Sequence, residues 1–254
     1  MRTSSSTNIG ILGFFEKIIR KHPLIYIIFR SLVRFTNIFE KDFDGLKKIL
    51  FNKKINIIDV GASDGISAKF FLNNLKVNKI FCFEPYKNYI KILKKNKKLI
   101  VKPYAIGDKN IKKTIFFPRY NFLGKKFDFI TYAHYDQNLL NHFINDFHYQ
   151  KNLSIARASI NIKKIKDLKF KIDLIKIDTN GFEYNVIKGL MHIIKKHRPV
   201  LIIEINRDER KINELLKKYN YNDYYYSLKK KSFSKKKDIN CTNKYLISDN
   251  FNFI

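Results

Sequence analysis

A glycine-containing segment and a later glutamate have the residue types and spacing of a nucleoside-binding site. The segment Asp59–Gly65 follows an apolar run, and Glu84 lies 23 residues after Gly61. Glycine allows the backbone to turn sharply and to approach a ligand closely. An acid about 20 residues beyond such a loop accepts hydrogen bonds from ribose hydroxyls. The spacing therefore predicts that these two segments bind the same nucleoside.

The glycine loop differs from a dinucleotide-binding loop, which uses G-x-G-x-x-G to lay a pyrophosphate on backbone N–H groups at a helix N-terminus. Here Ala62 and Ser63 follow Gly61, so the second glycine is absent. Asp59 would also oppose a pyrophosphate but suits a cation. S-adenosylmethionine, which carries sulfonium and ammonium groups, is therefore the expected cofactor. The residues expected to bind it here are Asp59, Gly61, Ala62, Ser63, Gly65, Glu84 and Pro85.

A third segment, Ala105-Ile106-Gly107-Asp108, follows the next apolar run and completes the expected cofactor site. Adenine is expected to lie against Ile106, with Asp108 in reach of its exocyclic amine. Ala105, Ile106 and Asp108 are therefore added to the cofactor-binding residues.

Charged residues at the ends of two later apolar runs are the candidates for catalysis. Asp178 is the first of them, as a cofactor ligand or a general base. Lys176 points to the same face of its strand and either acts with Asp178 or Glu183 or forms a buried ion pair. Glu183 opens a helix, so it is either catalytic or a helix cap. Glu204 ends the next run and is expected to line the acceptor pocket.

Histidines give a weaker signal, and no metal site is expected. His134, His142 and His148 could each supply a base that titrates near neutrality. Asp136, His142 and Asp146 lack the spacing of a magnesium site.

Short apolar, β-branched runs alternate with amphipathic stretches from residue 55 onward. This alternation predicts an α/β fold with a doubly wound, mostly parallel sheet covered on both faces. The carboxyl ends of its strands form the ligand-binding edge. The predicted strands are Ile55–Val60, Lys79–Phe83, Leu99–Tyr104, Ile172–Asp178 and Pro199–Ile205. The predicted helices are Ser67–Leu75, Tyr86–Asn96, Glu183–Lys196 and Asp208–Tyr219.

Three segments fall outside this alternation. Residues 1–45 are predicted to be a helical N-terminal extension divided by Pro23, preceding a domain over residues 46–254. Residues 118–157 are interpreted as an insertion over the site. Near the end of the chain, Tyr221–Leu228 and Lys244–Ser248 are predicted to form a hairpin around the lysine-rich loop Lys229–Lys237.

The N-terminal extension allows two interpretations. Apolar residues recur at three- and four-residue spacing among Lys and Arg over residues 11–39, which is typical of a helix lying on an anionic membrane surface. Packing of the same apolar face on the chain's own domain is the favoured alternative.

The composition excludes some classes of protein and leaves the meaning of the charge open. The net charge is +29, but it comes from 42 Lys and only 9 Arg, together with 6 Ala. This bias favours an A+T-rich coding sequence over a nucleic-acid partner, since phosphate-binding sites rely on Arg. No apolar run approaches the ~18 residues of a membrane span. Cys82 and Cys241 are too few for a disulfide framework, so a cytoplasmic protein is expected, with the inner membrane surface as an option.

Taken in order, the motifs resemble the FkbM family of S-adenosylmethionine-dependent methyltransferases over residues 55–206. The resemblance implies a class I methyltransferase fold with a seven-stranded sheet whose last strand is antiparallel. It also implies methyl transfer to oxygen, typically a hydroxyl of a sugar or a secondary metabolite. The family commonly has an acid where this chain has Asn180. The matching segments are Asp59–Gly65, Phe83–Pro85, Ala105–Asp108, Leu174–Glu183 with Val186, Ile187 and Gly189, and Arg198–Glu204.

Two other functions stay open at this point. The charge and the lysine-rich loop are compatible with an RNA methyltransferase, whose RNA binding would weaken steeply with salt. The exchange at Asn180 is compatible with a cofactor-binding scaffold that has lost catalysis. The oligomeric state is not predicted.

Overall fold

The computed structural model describes residues 40–144, 150–237 and 241–251, together with residues 22, 25, 28 and 32. The chain divides into two compact units. Residues 37–115 and 158–254 form the larger unit, and residues 1–36 and 116–157 form the smaller one. The segment 37–45, predicted as part of the extension, is thus grouped with the larger unit.

An open sheet lies at the centre of the larger unit. Its parallel strands are β1 (Ile55–Val60), β2 (Val77–Phe83), β3 (Leu99–Lys102), β8 (Leu174–Ile177) and β9 (Val200–Glu204). The other members are β10 (Tyr221–Ser227), β11 (Ser232–Ser234) and β12 (Asn243–Ser248). The strand order is β11-β10-β12-β9-β8-β1-β2-β3.

The arrangement is the mostly parallel class I methyltransferase sheet expected from the sequence, with one more strand. β12 pairs antiparallel with both β9 and β10, as expected for the antiparallel strand. The additional strand is β11, which pairs antiparallel with β10 at the edge. It lies inside the segment Lys229–Lys237, which was predicted to be a loop, because the alternating Ser-Phe-Ser places Phe233 against Tyr226.

The helices of the larger unit are α1 (Asp44–Ile49), α2 (Ile66–Asn74), α3 (Lys87–Leu93), α5 (Glu183–His197) and α6 (Glu209–Lys217). α2, α3, α5 and α6 correspond to the four predicted helices, although α3 and α6 end earlier than predicted, and α1 was not predicted. The buried residues of α5 recur with helical spacing and form its core-facing side. They include Val186, Ile187, Leu190, Ile193 and Ile194.

The core of the larger unit is built from the apolar runs that predicted the sheet. The side chains of β1, β8 and β9 are almost all buried. Burial of one such Ile or Val side chain contributes about 1.5–3 kcal/mol. The sheet is therefore a firm support for the polar groups at its carboxyl edge.

A second sheet occupies the segment where the alternation fails. Its strands are β4 (Ala105–Ile106), β5 (Ile111–Phe122), β6 (Lys125–Asp128) and β7 (Leu153–Lys163), in the order β4-β7-β5-β6. The insertion predicted over residues 118–157 thus begins within β5 and ends within β7. The smaller unit contains α4 (Gln137–Ile144) and short 3₁₀ turns at Ile130–Tyr132 and Gln150–Asn152.

The predicted N-terminal helices lie largely outside the described residues. Ile25, Ile28 and Leu32 are described, and all three are helical and exposed. Within the described part of the chain, no helix is long and apolar enough to cross a membrane. Asp146 and His148 also lie outside the described residues.

Candidate functional site

Four polar residues and one glycine, from five neighbouring strands, form one row at the carboxyl edge of the large sheet. Val60 pairs with Phe83 on one side and with Ile177 on the other, and Ile177 pairs with Ile203. Glu204 pairs with Asn243 at the start of β12. The row that follows the Val60 pairs therefore consists of Glu84, Gly61, Asp178, Glu204 and Asn243.

The position of Gly61 must be occupied by glycine, because the backbone at the end of the neighbouring strand β8 lies very close to it. A Cβ atom at this position would lie 1.8 Å from the carbonyl oxygen of Asp178, and the φ angle of Gly61 is +74°. Both features exclude an ordinary side chain. The sequence predicted that Gly61 allows a ligand to approach the backbone closely. The structure shows that this glycine also allows β1 and β8 to approach each other closely.

The glycine loop and Glu84 come together as the spacing predicts. The N–H of Ser63 donates to Glu84 Oε2 at 2.9 Å, and the N–H of Tyr86 donates to Oε1 at 2.7 Å. Burial raises the pKa of Glu84 to about 7, although the two N–H donors act in the opposite direction. Ser63 Oγ is buried and has no hydrogen-bond partner among the described residues. The loop therefore contains a polar group that a ligand could satisfy.

Asp59 and Lys176 form a buried ion pair beneath the loop. Lys176 Nζ lies 3.5 Å from Asp59 Oδ1 and 3.3 Å from Asp178 Oδ2, and it donates to the carbonyl oxygen of Gly61 at 3.1 Å. Ser67 Oγ donates to Asp59 Oδ2 at 2.6 Å. Asp59, predicted to bind the cofactor, has no exposed surface, so in this conformation it supports the loop from below.

The opposite charges of this cluster offset the effect of burial on the pKa values of its members. Burial alone would lower the pKa of Lys176, but the carboxylates of Asp178 and Asp59 raise it above its ordinary value, so this lysine stays protonated. Burial raises the pKa of Asp59, and Lys176 and Ser67 oppose that rise. Lys176 is therefore a fixed cation and not a proton acceptor, as the ion-pair interpretation of the sequence predicts.

Asp178 and Glu204 form a carboxyl pair at the ends of β8 and β9. The side chain of Asp178 is 33% exposed, so solvent or a ligand can reach it. Burial raises the pKa of Glu204 to about 9, with further contributions from the charge of Asp178 and a hydrogen bond to it. Glu204 therefore holds the proton of the pair at neutral pH, and Asp178 is the accessible carboxylate.

Glu183 stabilises the loop that follows β8. Its Oε1 accepts hydrogen bonds from the N–H of Thr179 at 2.8 Å, from Thr179 Oγ1 at 3.1 Å and from the N–H of Gly181 at 3.1 Å. Asn206 Nδ2 donates to Oε2 at 2.6 Å. Burial raises the pKa of Glu183, and these backbone donors lower it. These contacts are made with the loop that precedes α5, so Glu183 positions this loop, and its capping and catalytic interpretations both stay predictions.

Asn180 has a backbone conformation that accounts for its residue type. Its φ angle is +52°, and Gly181 follows with +93°. Asn adopts this left-handed conformation several-fold more readily than most residues. Its presence here is therefore compatible with an intact loop.

The predicted adenine segment lies against α5. Ile106 is fully buried, and Asp108 Oδ2 lies 2.7 Å from Lys188 Nζ. A Cβ atom at Gly189 would lie 2.3 Å from the carbonyl oxygen of Gly107, so the helix and this segment are in close contact. Contact of Ile106 and Asp108 with adenine stays a prediction.

A group that the sequence did not predict completes the edge. Asp42 is buried and accepts hydrogen bonds from the N–H of Asn243 at 2.8 Å and from Thr242 Oγ1 at 3.1 Å. Asn243 Nδ2 also donates to Glu40. No sequence signal indicates these contacts, since the partners are about 200 residues apart and Glu40 follows no apolar strand.

The structure adds little support for the histidines as candidate general bases. His134 Nδ1 accepts a hydrogen bond from the N–H of Asp136 at 2.9 Å, which is a local turn contact in the smaller unit. The side chain of His142 is not among those described. Over the described ranges, no group of three or more His, Cys, Asp or Glu residues could hold a metal ion.

Comparison with known proteins identifies the family. The methyltransferase FkbM domain matches residues 59–224, which is more than half of the chain. No curated protein matches.

Solved structures give more distant matches. An FkbM methyltransferase from Methylobacillus flagellatus KT is 14% identical, with a TM-score of 0.48, over 80% of this chain and 47% of that one. An rRNA methylase from Streptococcus thermophilus is 10% identical, with a TM-score of 0.41, over 80% of this chain and 90% of that one. The chain thus spans about half the length of the FkbM structure that it matches.

Proposed function

Because the chain belongs to the FkbM methyltransferase family, we propose that it transfers the methyl group of S-adenosylmethionine to a hydroxyl group of a sugar, a glycan or a secondary metabolite. The observation that supports this proposal is the row Glu84, Gly61, Asp178 and Glu204 at the carboxyl ends of adjacent strands. Glu84 can accept hydrogen bonds from ribose hydroxyls there, and the accessible carboxylate of Asp178 suits the positive charge of the donor.

The residues present fit this cofactor. The glycine loop offers the unpartnered Ser63 Oγ beside Glu84, and the cluster around Lys176 contains more carboxyl groups than cations. When bound, S-adenosylmethionine supplies a methyl carbon on a positively charged sulfur, which an acceptor oxygen attacks while the carbon–sulfur electron pair returns to sulfur. The chain would hold the acceptor in line with that bond, and positioning alone can lower the barrier by roughly 7–11 kcal/mol.

We assign a role to each of the three predicted catalytic residues. Asp178 accepts the proton that the acceptor hydroxyl loses, directly or through water. Lys176 and Glu183 are positioning residues, since Lys176 fixes the Asp178 carboxylate and Glu183 fixes the loop that follows it. A general base of this kind contributes about 10²–10⁴-fold in rate.

The proposal is tested first by binding. Calorimetric titration with S-adenosylmethionine at pH 8 compares the native chain with Glu84→Gln and with the surface control Glu214→Gln. Loss of a hydrogen bond to a charged group predicts affinity about 10- to 100-fold weaker in Glu84→Gln and unchanged in the control. A folded native chain that does not bind S-adenosylmethionine would contradict the proposal.

Turnover then separates an enzyme from a scaffold. Transfer of a labelled methyl group to a panel of polyhydroxylated acceptors should be measurable in the native chain and about 10²–10⁴-fold slower in Asp178→Asn. Cofactor binding without transfer to any acceptor would favour the scaffold alternative.

An RNA acceptor is the second candidate, and one observation favours it. Six exposed lysines flank β11 at positions 229–231 and 235–237. RNA binding through such a surface should weaken steeply as salt rises. RNA binding that does not change between about 50 and 200 mM salt, a range over which the screening length roughly halves, would exclude this candidate.

Contact with a membrane is a further proposal about partners. Ile25, Ile28 and Leu32 are spaced for one face of a helix and are all exposed. This pattern supports binding to anionic vesicles through residues 11–39, which contain five Lys and Arg residues and one acid, Glu16. Removal of this segment should abolish flotation with such vesicles, and flotation that persists would contradict the proposal.

A further inference from the structure

A carboxylate from outside the matched family domain reaches the carboxyl edge of the sheet. Glu40 precedes the 3₁₀ turn Lys41–Phe43, whereas the family match begins at residue 59. Asn243 Nδ2 donates to Glu40, and Thr242 Oγ1 lies 3.4 Å from its Oε2. Because Asn243 pairs with Glu204, Glu40 is bonded to the immediate neighbour of the carboxyl pair.

The position of Glu40 is fixed by the fold. Two residues later, Asp42 is buried and accepts hydrogen bonds from the N–H groups of Thr242 and Asn243. Tyr245 Oη donates to the carbonyl oxygen of Asp42 at 2.6 Å. The segment that carries Glu40 is therefore attached to β12 at several points.

Glu40 interacts electrostatically with the residues proposed to act in the reaction. Surrounding protein and the charges of Asp178 and Asp42 raise its pKa to about 7, while Lys176 opposes this rise. Glu40 nevertheless retains exposed surface, like Asp178. Both residues are therefore accessible from solution.

The balance of charge at this edge is opposite to that of the whole chain. Among the described residues, the acids Asp59, Asp178, Glu204 and Glu40 all interact with the cation Lys176. Asp59 Oδ1 is fully buried and has no hydrogen-bond partner among the described residues. In a chain with a net charge of +29, such a concentration of acids is not a consequence of composition.

We propose that Glu40 is a specificity-determining residue whose carboxylate faces the reacting methyl group and the acceptor. The Glu40 carboxylate would make the site favour ligand groups that are positively charged or that donate hydrogen bonds, and disfavour ligand groups that are negatively charged. The inference rests on the proposed function, and it narrows the acceptor to an uncharged or cationic hydroxyl compound without a phosphate or carboxylate beside the reacting hydroxyl.

The test uses two probes that differ in one methyl group and one charge. S-adenosylmethionine carries a positive charge on sulfur, and S-adenosylhomocysteine does not. Calorimetric titrations at pH 8 with both probes give an affinity ratio for the native full chain, for Glu40→Gln and for Glu40→Lys. Glu214→Gln and Glu214→Lys are the matched controls, because Glu214 is 61% exposed and pairs with Arg210 on α6.

The expected result is a selective loss. In Glu40→Gln, affinity for S-adenosylmethionine should fall about two- to fivefold, as for partly exposed charge pairs, while affinity for S-adenosylhomocysteine stays constant. Glu40→Lys should lower the ratio further, and neither control should change it. A general structural effect of the substitution would weaken both probes equally.

The outcomes separate this inference from the proposed function. Binding of both probes with the same ratio in all five proteins would overturn the role of Glu40 and leave the cofactor site intact. Absence of binding by the folded native chain would overturn both. A ratio that falls only in the Glu40 variants would support the inference.

Discussion

Asp178 and Glu204 follow two residues, Ile177 and Ile203, that pair across neighbouring parallel strands, and the charge of Asp178 raises the pKa of Glu204 further after burial has raised it. Register alone places them side by side, because each is the first residue beyond the pair Ile177 and Ile203. Two carboxyl groups this close cannot both ionise without a large cost. Burial of Glu204, together with the carboxylate that the strand register places beside it, therefore raises its pKa.

The first prediction concerns the dependence of stability on pH. The pKa of Glu204 is raised from 4.5 to about 9 in the folded chain, so the folded state binds this proton more tightly than the unfolded state. The resulting stabilisation is complete below pH 4.5 and is lost as pH rises towards 9. Glu204→Gln removes this dependence. Between pH 6 and pH 9, the free energy of unfolding of the native chain should fall relative to the variant, on the order of 2 kcal/mol.

Urea unfolding at pH 6, 7.5 and 9 would measure this difference, with Glu214→Gln as the surface control. Parallel curves for the native chain and Glu204→Gln would show that Glu204 does not carry the proton.

The second prediction concerns Gly61. Its replacement by Ala would place Cβ 1.8 Å from the carbonyl oxygen of Asp178, so β1 and β8 must separate at the site. We expect a loss of about 2–4 kcal/mol in the free energy of unfolding and loss of cofactor binding. Gly124→Ala is a matched control, because Gly124 has the same φ of +74° but no atom within 4 Å of an added Cβ.

The free energy of unfolding of the control should fall by only roughly 1 kcal/mol, which is the strain that a positive φ imposes on alanine. Equal losses in the two alanine variants would contradict the steric argument for Gly61.

The third prediction concerns the buried cation. Lys176→Met would leave the Asp59 and Asp178 carboxylates without compensation, and removal of one partner from a buried ion pair costs about 3–5 kcal/mol. The double variant Lys176→Met/Asp59→Asn should recover part of this loss. Lys188→Met, which removes a partly exposed ion pair with Asp108, should cost less than about 1 kcal/mol. Denaturant unfolding of the four proteins checks this order, and a double variant less stable than Lys176→Met would contradict it.

The fourth prediction concerns the attachment of the Glu40 segment. Asp42→Ala leaves the N–H groups of Thr242 and Asn243 without their buried acceptor, which should cost about 2–4 kcal/mol. The variant should also lose the preference for S-adenosylmethionine over its demethylated product. Asp44→Ala, which removes only an exposed pair with Lys47, is the control. An Asp42→Ala variant with native stability and preference would contradict this role.

The parallel part of the fold could be predicted because it is encoded locally. Ile55–Val60 is an apolar run between polar segments, and it is β1 residue for residue. The predicted strands Ile172–Asp178 and Pro199–Ile205 contain β8 and β9, which are one or two residues shorter at each end. Since parallel strands share one carboxyl edge, the polar residues that follow them were also predicted to meet there.

The remaining features depend on contacts that local patterns do not encode. Asp42 and Asn243 come together only through the completed sheet, so neither has a sequence signal. The burial of Asp59 follows from its pairing with Lys176 on an adjacent strand. The edge strand β11 was missed because lysines surround a three-residue strand.

The contact between Asn243 and Asp42 has a consequence for how the chain becomes functional. The two residues are 201 positions apart, so a chain emerging from the ribosome contains the glycine loop long before it contains the partner of Asp42. Contacts of such sequence separation form late, because closing the intervening loop costs entropy first. A nascent chain that has not yet formed β12 therefore lacks the support for Glu40, and the acidic edge is completed only when the last strand is inserted.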